Sequence, residues 1–290
     1  MGVAGIMQVS RLWEEWAVKQ EKTLYPAALG LGLILMCLRG LLYRLHVDGT
    51  GLLEPGAPLE WIVYLLTAAA LAIFALAARK QAETVCVPKI AALGQIVGAL
   101  GLGITAVCFS GEMGGVLGTL WRVLGIAAAA CLVWAAFCTM QRRNAGFFPQ
   151  LVPCLFWVVH LLDNYRGWSG HPQLQSYVFP MFASMAATLL SYYTAAQTVG
   201  LGKPRTKKFC ALAGGCLCMA AVLPGSAKTE ILYFTTGLWA LSCLYAPEDS
   251  QIRVAGNTYS LAAGESLVIF SRETAAAQTD SPIICCHAKV

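Results

Sequence analysis

His160, Asp163 and Asn164 stand at positions i, i+3 and i+4 of the apolar run that begins at Phe147. On a helix they share one face and converge on one point. A histidine with a carboxylate beside it is equipped for proton transfer. Arg39, in the first apolar run, falls at a similar height if these runs cross a bilayer, and Arg122 enters the fourth run from the same side. Ionisable groups at such a depth are costly in lipid and usually face a bundle interior or a wet cavity. Arg39, Arg122, His160, Asp163 and Asn164 are therefore the candidate ligand-binding set. His160 and Asp163 are expected to form one outward-open polar site with at least one of the two arginines. The alternative is that Arg39 and Arg122 snorkel to headgroups while Asp163, Asn164, Tyr165 and Arg166 simply end a helix.

The elements that carry these residues follow from composition. The 290 residues are 58% hydrophobic and 12% charged, with a mean hydropathy of +0.63, whereas soluble domains carry roughly 25% charged residues. A bilayer core about 30 Å thick needs about 20 apolar residues per helix, and runs of that length recur along the chain. They lack the alternation of a barrel, which leaves helices as the spanning structure. The net charge of +5 raises nucleic acid as a partner, but the basic residues fall between apolar runs and form no stripe, so the lipid bilayer is the expected partner and nucleic acid is not. Cys37, Cys108, Cys131, Cys138, Cys154, Cys210, Cys216, Cys218 and Cys243 lie in or beside these runs and read as small apolar fillers.

The fold expected is an all-α, polytopic transmembrane bundle of about eight spans, at 24–42, 59–78, 90–109, 115–138, 147–165, 176–199, 208–224 and 229–246. Ahead of it, residues 1–23 place Val9, Leu12, Trp13 and Trp16 at helical spacing, as an amphipathic helix on the membrane surface or a lead-in to the first span. Of the twenty Lys and Arg residues, fifteen fall on the side of the N-terminus, which puts both termini in the cytoplasm. Ala183, Ala187, Ser191 and Ala195 in the sixth span, and Ala91, Gly94, Gly98, Gly101 and Thr105 in the third, are small-residue seams for close packing.

After the bundle (24–246), the tail 247–290 carries a hairpin signal within 251–270. A turn at Gly256-Asn257 sets Val254 opposite Tyr259 and Ile252 opposite Leu261, and Leu267 to Phe270 is a candidate third strand. The last residues, from Thr274, read as disordered. Walker A, HExxH, GxSxG and dinucleotide glycine signatures are absent, and no cofactor is expected. Cys285, Cys286 and His287 are adjacent on the tail and make a poor metal tetrahedron.

The stretch RGLLYRLHVDGTGLLEPGAP with its Asp48-Gly49-Thr50-Gly51-Leu52 core, NYRGWSGHPQLQSYVFP, and the LSYYTAA that follows resemble a family of uncharacterised multi-pass membrane proteins of clostridial Firmicutes. The resemblance covers Leu24 to Leu223 and implies a bacterial cytoplasmic membrane, with no activity to carry over. The residues themselves favour transport or binding of a small molecule or ion through the outer polar cluster. A structural or assembly role without ligand comes second. An intramembrane enzyme using His160 and Asp163 as acid and base comes third, because no nucleophile or metal triad accompanies them.

Overall fold

The computed structural model describes residues 24–46, 53, 57–79, 87–109, 115–141, 145–166, 177–199 and 201–245, and by backbone alone 3–23, 167–168, 250–254, 257–261, 266–270 and 283–287. Among the described residues eight α-helices follow one another: α1 (Val3–Leu45), α2 (Pro58–Arg79), α3 (Pro88–Cys108), α4 (Gly115–Met140), α5 (Phe147–Trp168), α6 (Val178–Thr198), α7 (Pro204–Val222) and α8 (Ala227–Ser242). Three of them open on a proline, whose fixed φ suits a first turn that has no amide partner in any case. Gly146, at φ +86°, lets the chain reverse ahead of α5 in a conformation that an L side chain resists.

Among the described residues, four segments are long and apolar enough to cross a membrane: Leu24–Leu45, Pro58–Arg79, Pro88–Cys108 and Gly115–Met140. Their outward faces are apolar. Leu65 on α2, Leu93 and Leu100 on α3 and Trp134 on α4 are all more than half exposed, while Arg39, Glu60, Gln95 and His160 are buried. An exterior of large apolar side chains, with the buried charged and polar groups kept to the interior, suits lipid as the solvent.

Helices α3 to α8 close a ring in which each touches the next and α8 returns to α3, while α1 and α2 pack outside it on α7. With neighbours on both sides, α7 is buried along nearly its whole length, and its small residues Ala211, Ala213, Gly214, Gly215 and Ala220 make that possible. The α3 seam faces α8. A Cβ at Gly94 would strike Ser242, at Gly98 it would lie 2.9 Å from the Trp239 Cβ, and at Gly101 it would strike Thr235. Arg39 near the end of α1 and Ala220 near the end of α7 meet the beginnings of α2 and α6. The bundle therefore has one end where odd-numbered helices finish and even-numbered ones start, its upper end.

Of the two readings of 1–23, a surface helix or a lead-in to the first span, the backbone agrees with the lead-in: α1 runs without a break from Val3, through Pro26, to Leu45. In the tail, the backbone of β1 (Ser250–Val254) pairs antiparallel with β2 (Asn257–Leu261) so that Val254 faces Asn257 and Ile252 faces Tyr259. This pairing differs from the expected one, which set Val254 opposite Tyr259 and Ile252 opposite Leu261. β3 (Ser266–Phe270) pairs with β4 (Ile283–His287) instead of extending the first pair, which places backbone pairing where disorder was expected. The side chains of Cys285, Cys286 and His287 lie outside the described residues.

Candidate functional site

Two polar clusters occupy the upper end. The first centres on His160, which is 1% exposed. Trp121 on α4 donates its indole N–H to His160 Nδ1 at 3.0 Å. Indole nitrogen is a donor only, so Nδ1 accepts, and the imidazole is neutral with its proton on Nε2. Nε2 lies 3.3 Å from the Tyr233 hydroxyl of α8 and 2.8 Å from the Asn164 amide. Because Nε2 carries the proton, the amide presents its carbonyl oxygen there; the two ends of an amide interchange by a half-turn. Tyr233 in turn reaches Ser184 Oγ at 3.0 Å and donates to the Pro180 carbonyl at 3.3 Å, both on α6. One chain of hydrogen bonds thus ties α4, α5, α8 and α6.

Aromatic rings enclose this chain. Phe156 stacks on the imidazole with centroids 5.9 Å apart, and Trp157 meets it edge-on at 5.3 Å. The Trp157 indole N–H is buried with no hydrogen-bond partner. Lys228, in the first turn of α8 and 6% exposed, holds its Nζ 4.5 Å from the centre of the Trp121 ring, a cation–π contact strengthened by its desolvation.

The second cluster surrounds Arg39, which is 3% exposed. Its position follows from α1's buried stripe: Ala28, Leu35, Arg39 and Leu42 recur at spacings of seven, four and three, so the arginine takes a core position facing α7. It donates Nη1 to the Ala220 carbonyl at 2.5 Å, bonds to Tyr43, and lies 4.4 Å from the centre of the Phe179 ring of α6. Glu60 is set by the same logic on α2, heading the buried stripe Glu60, Val63, Thr67, Ala70 and Phe74. Its carboxylate bonds to Tyr64, whose ring stacks on Phe179 at 5.9 Å. Arg39, Glu60, Tyr43, Tyr64 and Phe179 line a cleft with about 280 Å³ of empty space, counting its open mouth.

The five candidates are thus divided. His160 and Asn164 meet, as their spacing implies. Arg39 belongs to the other cluster, across a different face of α6, since Phe179 turns to Arg39 while Pro180 and Ser184 turn to Tyr233. Arg122 is exposed. Its neighbour Trp121 is fully buried, and adjacent helix positions are about 100° apart, so both cannot point inward. Asp163 is half-buried and joins neither cluster. From His160 it is rotated by about 60° around the helix, whereas Asn164 is rotated by only about 40°. Similar depth does not bring side chains together; azimuth does. The single site expected of His160 and Asp163 with an arginine is not assembled.

No protein-family model, curated protein or solved structure matches this chain. Its chemistry is read from the two clusters alone. Sequence reading passed over Glu60, Tyr64, Tyr233 and Lys228. For Glu60 a signal existed, in the three-four spacing that continues through Val63 and Thr67. Among the described residues no group of three His, Cys, Asp or Glu side chains could hold a metal. The neutral, enclosed His160 has no carboxylate among its hydrogen-bond partners, which is an arrangement suited to bracing helices.

Proposed function

We propose that this is a bacterial cytoplasmic-membrane protein with eight crossings and both termini inside, which binds and carries a small polar solute admitted at the extracytoplasmic end. Support for the crossings comes from four long apolar helices and the alternating direction of the eight. The less apolar α7 needs no lipid-compatible face, being covered on all sides. The tail from residue 247 is read as a small cytoplasmic β-unit.

The observation that carries the binding role is the cleft at the upper end, where Arg39 and Glu60, both over nine-tenths buried, line the same opening. Removing two charges from water costs several kcal/mol per ion, more than a purely structural bundle has reason to spend. The His160 chain beside it holds α6 and α8 in place and so fixes the wall that bears Phe179. A thermal-stability screen of the full chain in nanodiscs against small polar solutes tests this, because a ligand selective for the folded state raises the unfolding midpoint. At least one solute is expected to raise the midpoint of the wild type and to fail with Glu60→Gln. If no solute shifts the wild type, or if every shift survives in Glu60→Gln, the cleft is not the binding site.

A further inference from the structure

Resting on that reading, we infer that the cleft takes a zwitterionic group, with an ammonium towards Glu60 and an oxyanion towards Arg39. The two charges come from different helices, α1 and α2, and line one small opening. A ligand with a single charge places that charge near a wall of its own sign in a poorly solvated space, whereas a zwitterion meets opposite charges at both ends. Both protein charges are also held in advance. Arg39 is braced by the Ala220 carbonyl and the face of Phe179, and Glu60 by the Tyr64 hydroxyl. A carboxylate has about four acceptor sites, so one bond from Tyr64 leaves Glu60 able to accept from an ammonium. Tyr43, Tyr64 and Phe179 supply aromatic walls, against which an alkylammonium packs well. Most of the cleft's space lies in its open mouth, so it admits the charged end groups of a ligand and not a large metabolite.

Two sources offer this chemistry: a free amino acid-like solute, or the headgroup of a zwitterionic phospholipid reaching in from the bilayer that faces α1 and α2. The experiment uses the full chain in nanodiscs of phosphatidylglycerol alone, with β-alanine, propionate, propylamine and propionamide as size-matched probes. A second set of discs contains phosphatidylethanolamine and no added solute. β-Alanine, or phosphatidylethanolamine in the lipid arm, is expected to raise the unfolding midpoint at concentrations at least tenfold below those at which propionate or propylamine acts. Glu60→Gln should abolish that advantage, and Tyr64→Phe, a milder change, should reduce it several-fold. If only the lipid arm responds, the zwitterion is a headgroup; if only β-alanine responds, it is a solute. Should propionate, propylamine or propionamide match β-alanine in a Glu60-dependent manner, the cleft binds a ligand but the zwitterion assignment is wrong. If no probe or lipid acts on the wild type, both the assignment and the binding role fall.

Discussion

At the scale of single residues, the two buried tryptophans beside His160 separate hydrogen bonding from packing. Trp121→Phe and Trp157→Phe remove similar volumes from fully enclosed sites. Trp121, however, satisfies His160 Nδ1 and carries Lys228 on its ring, whereas the Trp157 N–H has no partner. Leaving a buried acceptor unpaired costs about 1–3 kcal/mol, while deleting an unpaired donor costs nothing in hydrogen bonds. Trp121→Phe should therefore lose about 1–3 kcal/mol more than Trp157→Phe in reversible unfolding in detergent, and equal losses would refute the tautomer assigned to His160. The partnership of His160 with Asn164 was legible from a spacing of four. Trp121, Tyr233 and Ser184 were not, because neutral residues in apolar runs look like core or interface residues until three further helices bring them to one point. Arg122 was misjudged for the opposite reason, its charge and depth being visible and its direction not.

At the scale of elements, the glycines of α3 have unequal roles although they stand close together along the run. A Cβ at Gly101 collides with the Thr235 side chain of α8, but at Gly103 it meets only the Ala129 Cβ at 3.7 Å, an ordinary contact. Gly→Ala inside a helix gains roughly 0.5–1 kcal/mol when nothing is struck, and overpacking costs about 1–3 kcal/mol. Gly103→Ala should accordingly be neutral or slightly stabilising and Gly101→Ala destabilising, read as unfolding midpoints of the two variants; a loss at Gly103 as large as at Gly101 would mean that α3 meets α8 on another face. The helices themselves were legible because each apolar run ends at Pro, Gly or charge, and most edges fall within a few residues of those expected. The junction at Leu24 was legible only as one of two alternatives: the change from a charged segment to an apolar one suits a boundary or a lead-in, and α1 crosses it, Pro26 included.

For the whole molecule, the two polar clusters tie the reading of function to orientation. Residues from α1, α2, α4, α5, α6 and α8 reach the upper end, so the loops at the opposite end are those bearing Arg79, Lys80, Lys89, Arg142, Arg143, Lys203, Arg205, Lys207 and Lys208. Positive charge is retained in the cytoplasm during insertion, so the proposed orientation has the upper end, with Arg39 and Glu60, on the outside. Even the buried Lys207 at the start of α7 fits, since its ammonium bonds to Gln197 Oε1 at 2.6 Å beside that basic loop. Reporter domains fused after Gly111 and after Gly170 should be active only outside the membrane, and one fused after Lys203 only inside. An external signal after Lys203 would invert the bundle, opening the cleft to the cytoplasm and making any ligand it takes an intracellular one. An internal signal after Gly170 with an external one after Gly111 would remove a crossing among α4 and α5, and with it the alternation that brings Trp121 to His160.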